Sequence, residues 1–173
     1  AELLGCASAE VPLHSPPGQP PLLGAGLGWL SLSHSGAGLL IGYSGSPIGV
    51  DLECIARPID PAGLMRRFYP EKEQAQLRDL TGEALRQAVL NSWVLKEAAI
   101  KWRHRTLAAE LAQWWYDHTS GSLLNLSDGA RPDHSSALQQ DWRWSAVGEG
   151  CSGLMLQSPV QSEERGSLKK EEG

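Results

Sequence analysis

Apolar and polar residues alternate in Trp29-Leu30-Ser31-Leu32, and the turn-like Ser33-His34-Ser35-Gly36 follows, which predicts a short strand ending in a polar tip. Leu39-Leu40-Ile41-Gly42-Tyr43 and Ile48-Gly49-Val50-Asp51-Leu52-Glu53 flank Ser44-Gly45-Ser46-Pro47, a pattern that predicts a β-hairpin with a four-residue connection. The period changes after Pro61. Leu64, Met65, Phe68 and Tyr69 suggest a short helix closed by Pro70, and residues 71–80 a second one. Thr81 is placed to cap the clearest helix, in which Leu85, Ala88, Val89, Trp93, Leu95, Ala98 and Trp102 recur near helical spacing as far as about Arg103. A further helix is expected over residues 107–115, then loops over residues 119–136 around a short strand at 123–126. Residues 141–147 alternate as a strand, with residues 153–157 the expected hairpin partner across Gly148-Glu149-Gly150.

The ends differ in composition. Residues 1–28 carry Pro12, Pro16, Pro17, Pro20, Pro21 and five glycines, so an irregular arm is expected there. Residues 158–173 are polar and charged and are expected to form a mobile tail without chemistry. The working domain is therefore residues 29–157. Its expected fold is α+β, an antiparallel sheet packed on a long central helix.

Composition narrows the classes. With 41% hydrophobic and 20% charged residues, the 173-residue chain can bury a core and is neither a disordered nor a fibrous sequence. Its 15 Lys and Arg against 20 Asp and Glu, a net charge of −5, supply no global basic field for nucleic acid. No apolar run approaches the ~18 residues of a membrane span, and no basic start precedes an apolar stretch, so a soluble cytoplasmic monomer without membrane partners is expected. Cys6, Cys54 and Cys151 are too few and too scattered for a disulfide framework or a CxxC metal site.

Candidate chemistry lies in three places. Side chains two apart on a strand share a face, so Asp51 and Glu53 stand together, about 7 Å apart, while Val50 and Leu52 anchor the other face. Two such carboxylates can close on one hard cation, with Mg²⁺ the natural candidate, although a solvated strand face carries the same pattern. Trp93, Glu97 and Lys101 fall at i, i+4 and i+8 on a helix, a stripe that also suits a plain surface ion pair. Lys96 lies about 100° around that helix, facing another part of a ligand or water. His34, with the backbone N–H groups near Ser35 and Gly36, sits where an anion could be met, or only solvent.

Taken in order, Ser33-His34-Ser35-Gly36, Gly49-Val50-Asp51-Leu52-Glu53 and Trp93-Val94-Leu95-Lys96-Glu97-Ala98-Ala99-Ile100-Lys101 resemble the SHSG turn, GxDxE strand and WxxKEAxxK helix of the 4′-phosphopantetheinyl transferase superfamily. Phe68-Tyr69-Pro70 and Glu73 are similar to the aromatic and acidic stretch between the last two. The resemblance is strong over residues 29–105 and weak over the strands near Trp142 to Leu156. It implies Mg²⁺-dependent transfer of 4′-phosphopantetheine from coenzyme A to a serine of an apo acyl or peptidyl carrier protein, as in fatty acid, polyketide or nonribosomal peptide biosynthesis. Asp51, Glu53 and Glu97 would then hold the metal. Ser33, His34, Lys96 and Lys101 would contact coenzyme A, and Glu97 and Lys101 would be catalytic.

The chain is also unlike the family's larger, surfactin-type members. Only 32 residues precede the SHSG turn and no Lys or Arg occurs before Arg57, so against those members much of an N-terminal half is expected to be lacking. The small holo-acyl-carrier-protein synthase type fits less well, because its metal-binding Asp lies close to the N-terminus. Residues 29–157 thus resemble the C-terminal part of a pseudo-dimeric transferase. Two rival readings are a non-catalytic fragment that binds coenzyme A or carrier protein, and an unrelated Mg²⁺-dependent phosphohydrolase.

Overall fold

The computed structural model describes residues 5–17 and 20–151. The N-terminal arm holds one 3₁₀ turn at Ser8–Glu10 and a two-residue antiparallel pairing of β1 (Leu13–His14) with β2 (Leu22–Leu23), in keeping with its proline content. β3 (Trp29–Ser35) and β4 (Gly38–Ser44) form a hairpin in register Ser35 to Gly38, closed by Gly36-Ala37. Gly36 has φ +55°, which a two-residue hairpin loop demands of its first residue and glycine adopts without strain.

β5 (Ile48–Cys54) does not pair with β4, so the hairpin expected across Ser44-Gly45-Ser46-Pro47 is not formed. Its partner is β9, in a three-stranded antiparallel sheet of order β5-β9-β8. The physical reason is burial. Residues 48–53 are all buried, on both faces of the strand, whereas β4 alternates buried and exposed positions. A strand buried on both faces belongs in the middle of the fold, so the chain turns a corner at Pro47 and enters a second sheet.

The helices follow. α1 (Pro61–Phe68) begins at Asp60, whose carboxylate accepts from Gly63 N–H at 2.9 Å, and proline occupies its first turn. α2 (Glu71–Leu77) starts directly after Pro70, and α3 (Gly82–Trp102) is the long central helix. Thr81 stands at its N-cap position but makes no side-chain capping bond. Helix over residues 107–115 proves shorter than expected. α4 (Leu107–Glu110) and a 3₁₀ turn at Leu111–Gln113 give way to β6 (Trp114–Asp117), which pairs with β7 (Ser122–Asn125). Two adjacent tryptophans and a tyrosine favour a strand, and burial of Trp114 against α3 overrides the helical spacing.

β8 (His134–Gln139) pairs with β9 (Trp142–Gly148) along its whole length, although residues 134–136 read as loop from the sequence. Residues 153–157, the expected partner of β9, lie outside the described residues, as does the charged tail. The β5-β9-β8 sheet carries core on both faces, one packed on α3 and the other, which includes Leu40 of β4, turned toward the β3–β4 hairpin. Val94, Leu95, Ala98, Ala99 and Ile100 of the helix are at most 1% exposed, and Val50, Leu52, Trp144, Ala146 and Val147 are buried on the sheet. This α+β arrangement sets the C-terminal half of α3 against β5.

Candidate metal and phosphate site

β5 carries the first two functional side chains. Val50 and Leu52 point into the core, so Asp51 and Glu53 share the other face, yet that face is also covered and the two acids are only 2% and 7% exposed. The cover is α3 and the serine face of β3. Glu97 comes from α3, and one carboxylate oxygen each from Asp51, Glu53 and Glu97 lies within 4.8 Å of the others. A hard cation with oxygen ligands at about 2.1 Å spans oxygens up to about 4.2 Å apart, so a small inward adjustment seats one. Asp51 Oδ2 is buried without a hydrogen-bond partner, an orphaned acceptor that such an ion would satisfy.

Like charges crowd this site, and burial adds to the cost of ionising them. Burial first, then the Asp51 carboxylate, push Glu97 up to about 8, with Glu53 adding to the shift while Lys101 and Arg57 oppose it. Burial likewise raises Asp51 above the usual carboxylate range, against the pull of Lys101 and Ser33. Both shifts express the same physics: without a cation, carboxylates packed this closely resist full ionisation.

Two cations and two hydroxyls hold the acids. Lys101, one turn beyond Glu97, places Nζ 2.6 Å from Asp51 Oδ1. Arg57 pairs with Glu53 Oε1. Ser33 donates to Asp51 Oδ1 at 2.7 Å, and Ser35 donates to Glu53 Oε2 at 2.7 Å.

Of the residues singled out from sequence, Asp51, Glu53, Glu97 and Lys101 therefore meet at one point. Ser33 joins them with a different duty: its hydroxyl is buried and engaged by Asp51 and Leu52 N–H, so it is not open to coenzyme A. His34 is exposed on the opposite face of β3, because alternation turns it away from Ser33 and Ser35. Lys96 is a correction. It faces neither ligand nor water, being fully buried with Nζ 2.6 Å from Glu73 Oε2 and 3.6 Å from the centre of the Tyr69 ring.

Glu73, itself fully buried, also accepts from Ser92 Oγ and from Tyr116 N–H at 3.3 Å, with His118 Nε2 3.5 Å away. Burial alone would raise its pKa, but the contacts with His118, Lys96 and Ser92 outweigh that and hold it low. Burial draws Lys96 down to about 8, and Glu73 keeps it from falling further. The pair ties α2 to α3 directly beside Glu97 in sequence.

Sequence reasoning gave no role to the side chains of Ser35 and Arg57. The serine spacing of β3, Ser31, Ser33 and Ser35, matches the period of a strand and is the signal that could have found the first. Arg57 stands four residues after Glu53 in a non-helical stretch, where spacing carries no such information.

A strand and a helix that converge three carboxylates and a lysine in a half-closed site have the donor set of divalent-metal phosphate chemistry. The family model of the 4′-phosphopantetheinyl transferase superfamily matches residues 47–149, and the chain belongs to that superfamily. A curated protein of Synechocystis sp., named as a 4′-phosphopantetheinyl transferase, is 30% identical over 119 residues, covering 68% of this chain and 46% of the relative. The chain thus spans about half the length of that relative. A holo-(acyl-carrier-protein) synthase from Bacillus anthracis str. Ames, solved in complex with CoA (3′,5′-ADP), superposes with a TM-score of 0.48 and 19% identity over 58% of this chain and 92% of that one. Among the described residues no helix is long and apolar enough to cross a membrane.

Proposed function

We propose that the protein transfers 4′-phosphopantetheine from coenzyme A to a serine hydroxyl of an apo acyl or peptidyl carrier protein, with Mg²⁺ held by Asp51, Glu53 and Glu97. The observation that carries this reading is the buried carboxylate cluster with an orphaned Asp51 Oδ2, in a chain of this superfamily. When bound, the ion supplies positive charge against the pyrophosphate oxygens on which charge builds during phosphoryl transfer.

The chain's own residues do the rest. Lys101 is fixed by Asp51 at one side of the site and is one-third exposed, so its ammonium can face a phosphate oxygen. Glu97, ionised once a cation neutralises the cluster, is placed to take the proton of the attacking serine. The tight packing around Asp51 and Glu53 excludes water from the acids and strengthens each contact. His34, exposed at the end of the β3–β4 hairpin, is the contact proposed for a coenzyme A phosphate outside the carboxylate cluster.

The test is mass spectrometry of apo carrier proteins incubated with the protein, coenzyme A and Mg²⁺. A carrier heavier by one phosphopantetheine group, abolished by chelator, is expected. Cleavage of coenzyme A with no carrier modified, or no reaction across several carrier classes, overturns the proposal.

A further inference from the structure

β5 is hydrogen-bonded to β9 along one edge, which leaves the N–H groups of its even-numbered residues facing β3. Among the described residues no strand partner meets them there. Instead Val50 N–H donates to Ser31 Oγ at 3.0 Å, Leu52 N–H to Ser33 Oγ at 3.2 Å and Cys54 N–H to Ser35 Oγ at 3.5 Å. Three serines at strand spacing thus close an edge that would otherwise hold buried, unsatisfied donors.

A serine hydroxyl that accepts a backbone N–H still has its own proton to donate. Ser33 gives that proton to Asp51 Oδ1 and Ser35 gives its proton to Glu53 Oε2, both at 2.7 Å, whereas Ser31 bonds no carboxylate among the described residues. The consequence at Asp51 is directional. Ser33 and Lys101 both occupy Oδ1, so Oδ2 is the oxygen left without a hydrogen-bond partner. At Glu53, Ser35 on Oε2 and Arg57 on Oε1 fix the plane of the carboxylate.

We infer that Ser33 and Ser35 are positioning residues for the metal carboxylates, each locked in place by the β5 N–H that its hydroxyl accepts. The inference rests on the proposed metal-dependent function and adds the residues that set the orientation of its ligands. A group that orients a metal ligand is typically worth ~10–100-fold in metal affinity, because an unheld carboxylate must be ordered as the ion binds.

The same strand supplies the control. Ser31→Ala, Ser33→Ala and Ser35→Ala each strip one β5 N–H of its acceptor, so each should lower the melting temperature. Only the last two also free a carboxylate. Titration of the full chain with Mn²⁺, read by electron paramagnetic resonance of the free ion, should show affinity lowered ~10–100-fold in Ser33→Ala and Ser35→Ala. Ser31→Ala should stay within about twofold of wild type, and Ser35→Thr, which keeps the hydroxyl at a half-buried position, should recover wild-type binding. If Ser33→Ala does not fold, the comparison of Ser35→Ala with Ser35→Thr decides.

Wild-type Mn²⁺ affinity in the folded alanine variants of Ser33 and Ser35, or an equal loss in Ser31→Ala, overturns the inference and leaves the transferase reading standing. A wild-type protein that binds no Mn²⁺ overturns both.

Discussion

Gly49 lies against Ala98 so closely that no side chain fits between β5 and α3. A Cβ built on Gly49 would overlap the Ala98 carbonyl oxygen and the Trp102 backbone nitrogen, and would stand 2.9 Å from Trp102 Cα. These are backbone atoms and cannot swing aside. The contact sits two residues before Asp51 on the strand and one after Glu97 on the helix, so this single approach sets how near the two carboxylates come.

Gly49→Ala should therefore force strand and helix apart. Overpacking of a rigid contact costs roughly 1–3 kcal/mol or more, read as a fall in melting temperature. Mn²⁺ affinity should fall with it, because the oxygens now 4.8 Å apart or less would separate. A variant that is less stable yet binds Mn²⁺ as wild type does would show that the close approach serves packing alone.

That glycine also marks what the sequence could and could not disclose. The strand period brought Asp51 and Glu53 to one face and the helical period brought Glu97 and Lys101 into one stripe, because both periods are properties of a single element. Distances between elements are not written that way. Nothing local distinguishes Gly49 as a point of contact, and nothing local says that Lys96, one residue from Glu97, turns inward to Glu73. The pairing of β5 is not written in the sequence for the same reason. Alternation and a turn signal nominate the nearest strand, whereas burial of β5 on both faces is a property of the assembled fold.

The buried Glu73–Lys96 pair yields a second prediction. Neither group touches solvent, so Lys96→Met leaves the Glu73 carboxylate with only neutral donors and the nearby His118. Loss of one partner of a buried ion pair costs ~3–5 kcal/mol, whereas replacing both by neutral groups is often nearly neutral. Denaturant titration should show Lys96→Met strongly destabilised and Glu73→Gln/Lys96→Met closer to wild type. If the double variant loses as much as the two single variants combined, the pair is not coupled.

A third prediction concerns pH in the absence of metal. In the folded protein burial, and then the Asp51 carboxylate, push Glu97 up to about 8, above the 4.5 of a free carboxyl. A raised carboxylate pKa means that the folded state holds its proton more tightly than the unfolded chain. Its stabilising contribution is full below about pH 4.5 and is lost as pH rises through about 8. In chelator, Glu97→Gln removes this ionisation, so its melting temperature relative to wild type should climb between pH 5 and 9. A difference that stays flat across that range would place the Glu97 carboxyl at an ordinary pKa.

The last prediction separates a working Lys101 from an incidental one. Its ammonium is 2.6 Å from Asp51 Oδ1 and its side chain is one-third exposed, so the residue is held on the protein side and open on the other. An incidental Lys101 would be a counter-ion for the buried Asp51 alone: its loss would cost stability, as removing one partner of a buried charge does, and would leave chemistry untouched. If instead the open side faces the phosphate on which charge develops, Lys101→Ala should slow single-turnover transfer at saturating coenzyme A by ~10²-fold or more, as removal of one preorganised donor does elsewhere. Lys101→Arg should recover part of the rate by keeping the charge without the compact ammonium. The melting temperature should fall in Lys101→Ala and less in Lys101→Arg, so transfer is compared at a temperature where both variants are folded. Transfer by Lys101→Ala within about twofold of wild type, under ~0.5 kcal/mol of barrier, would reduce Lys101 to a counter-ion for Asp51.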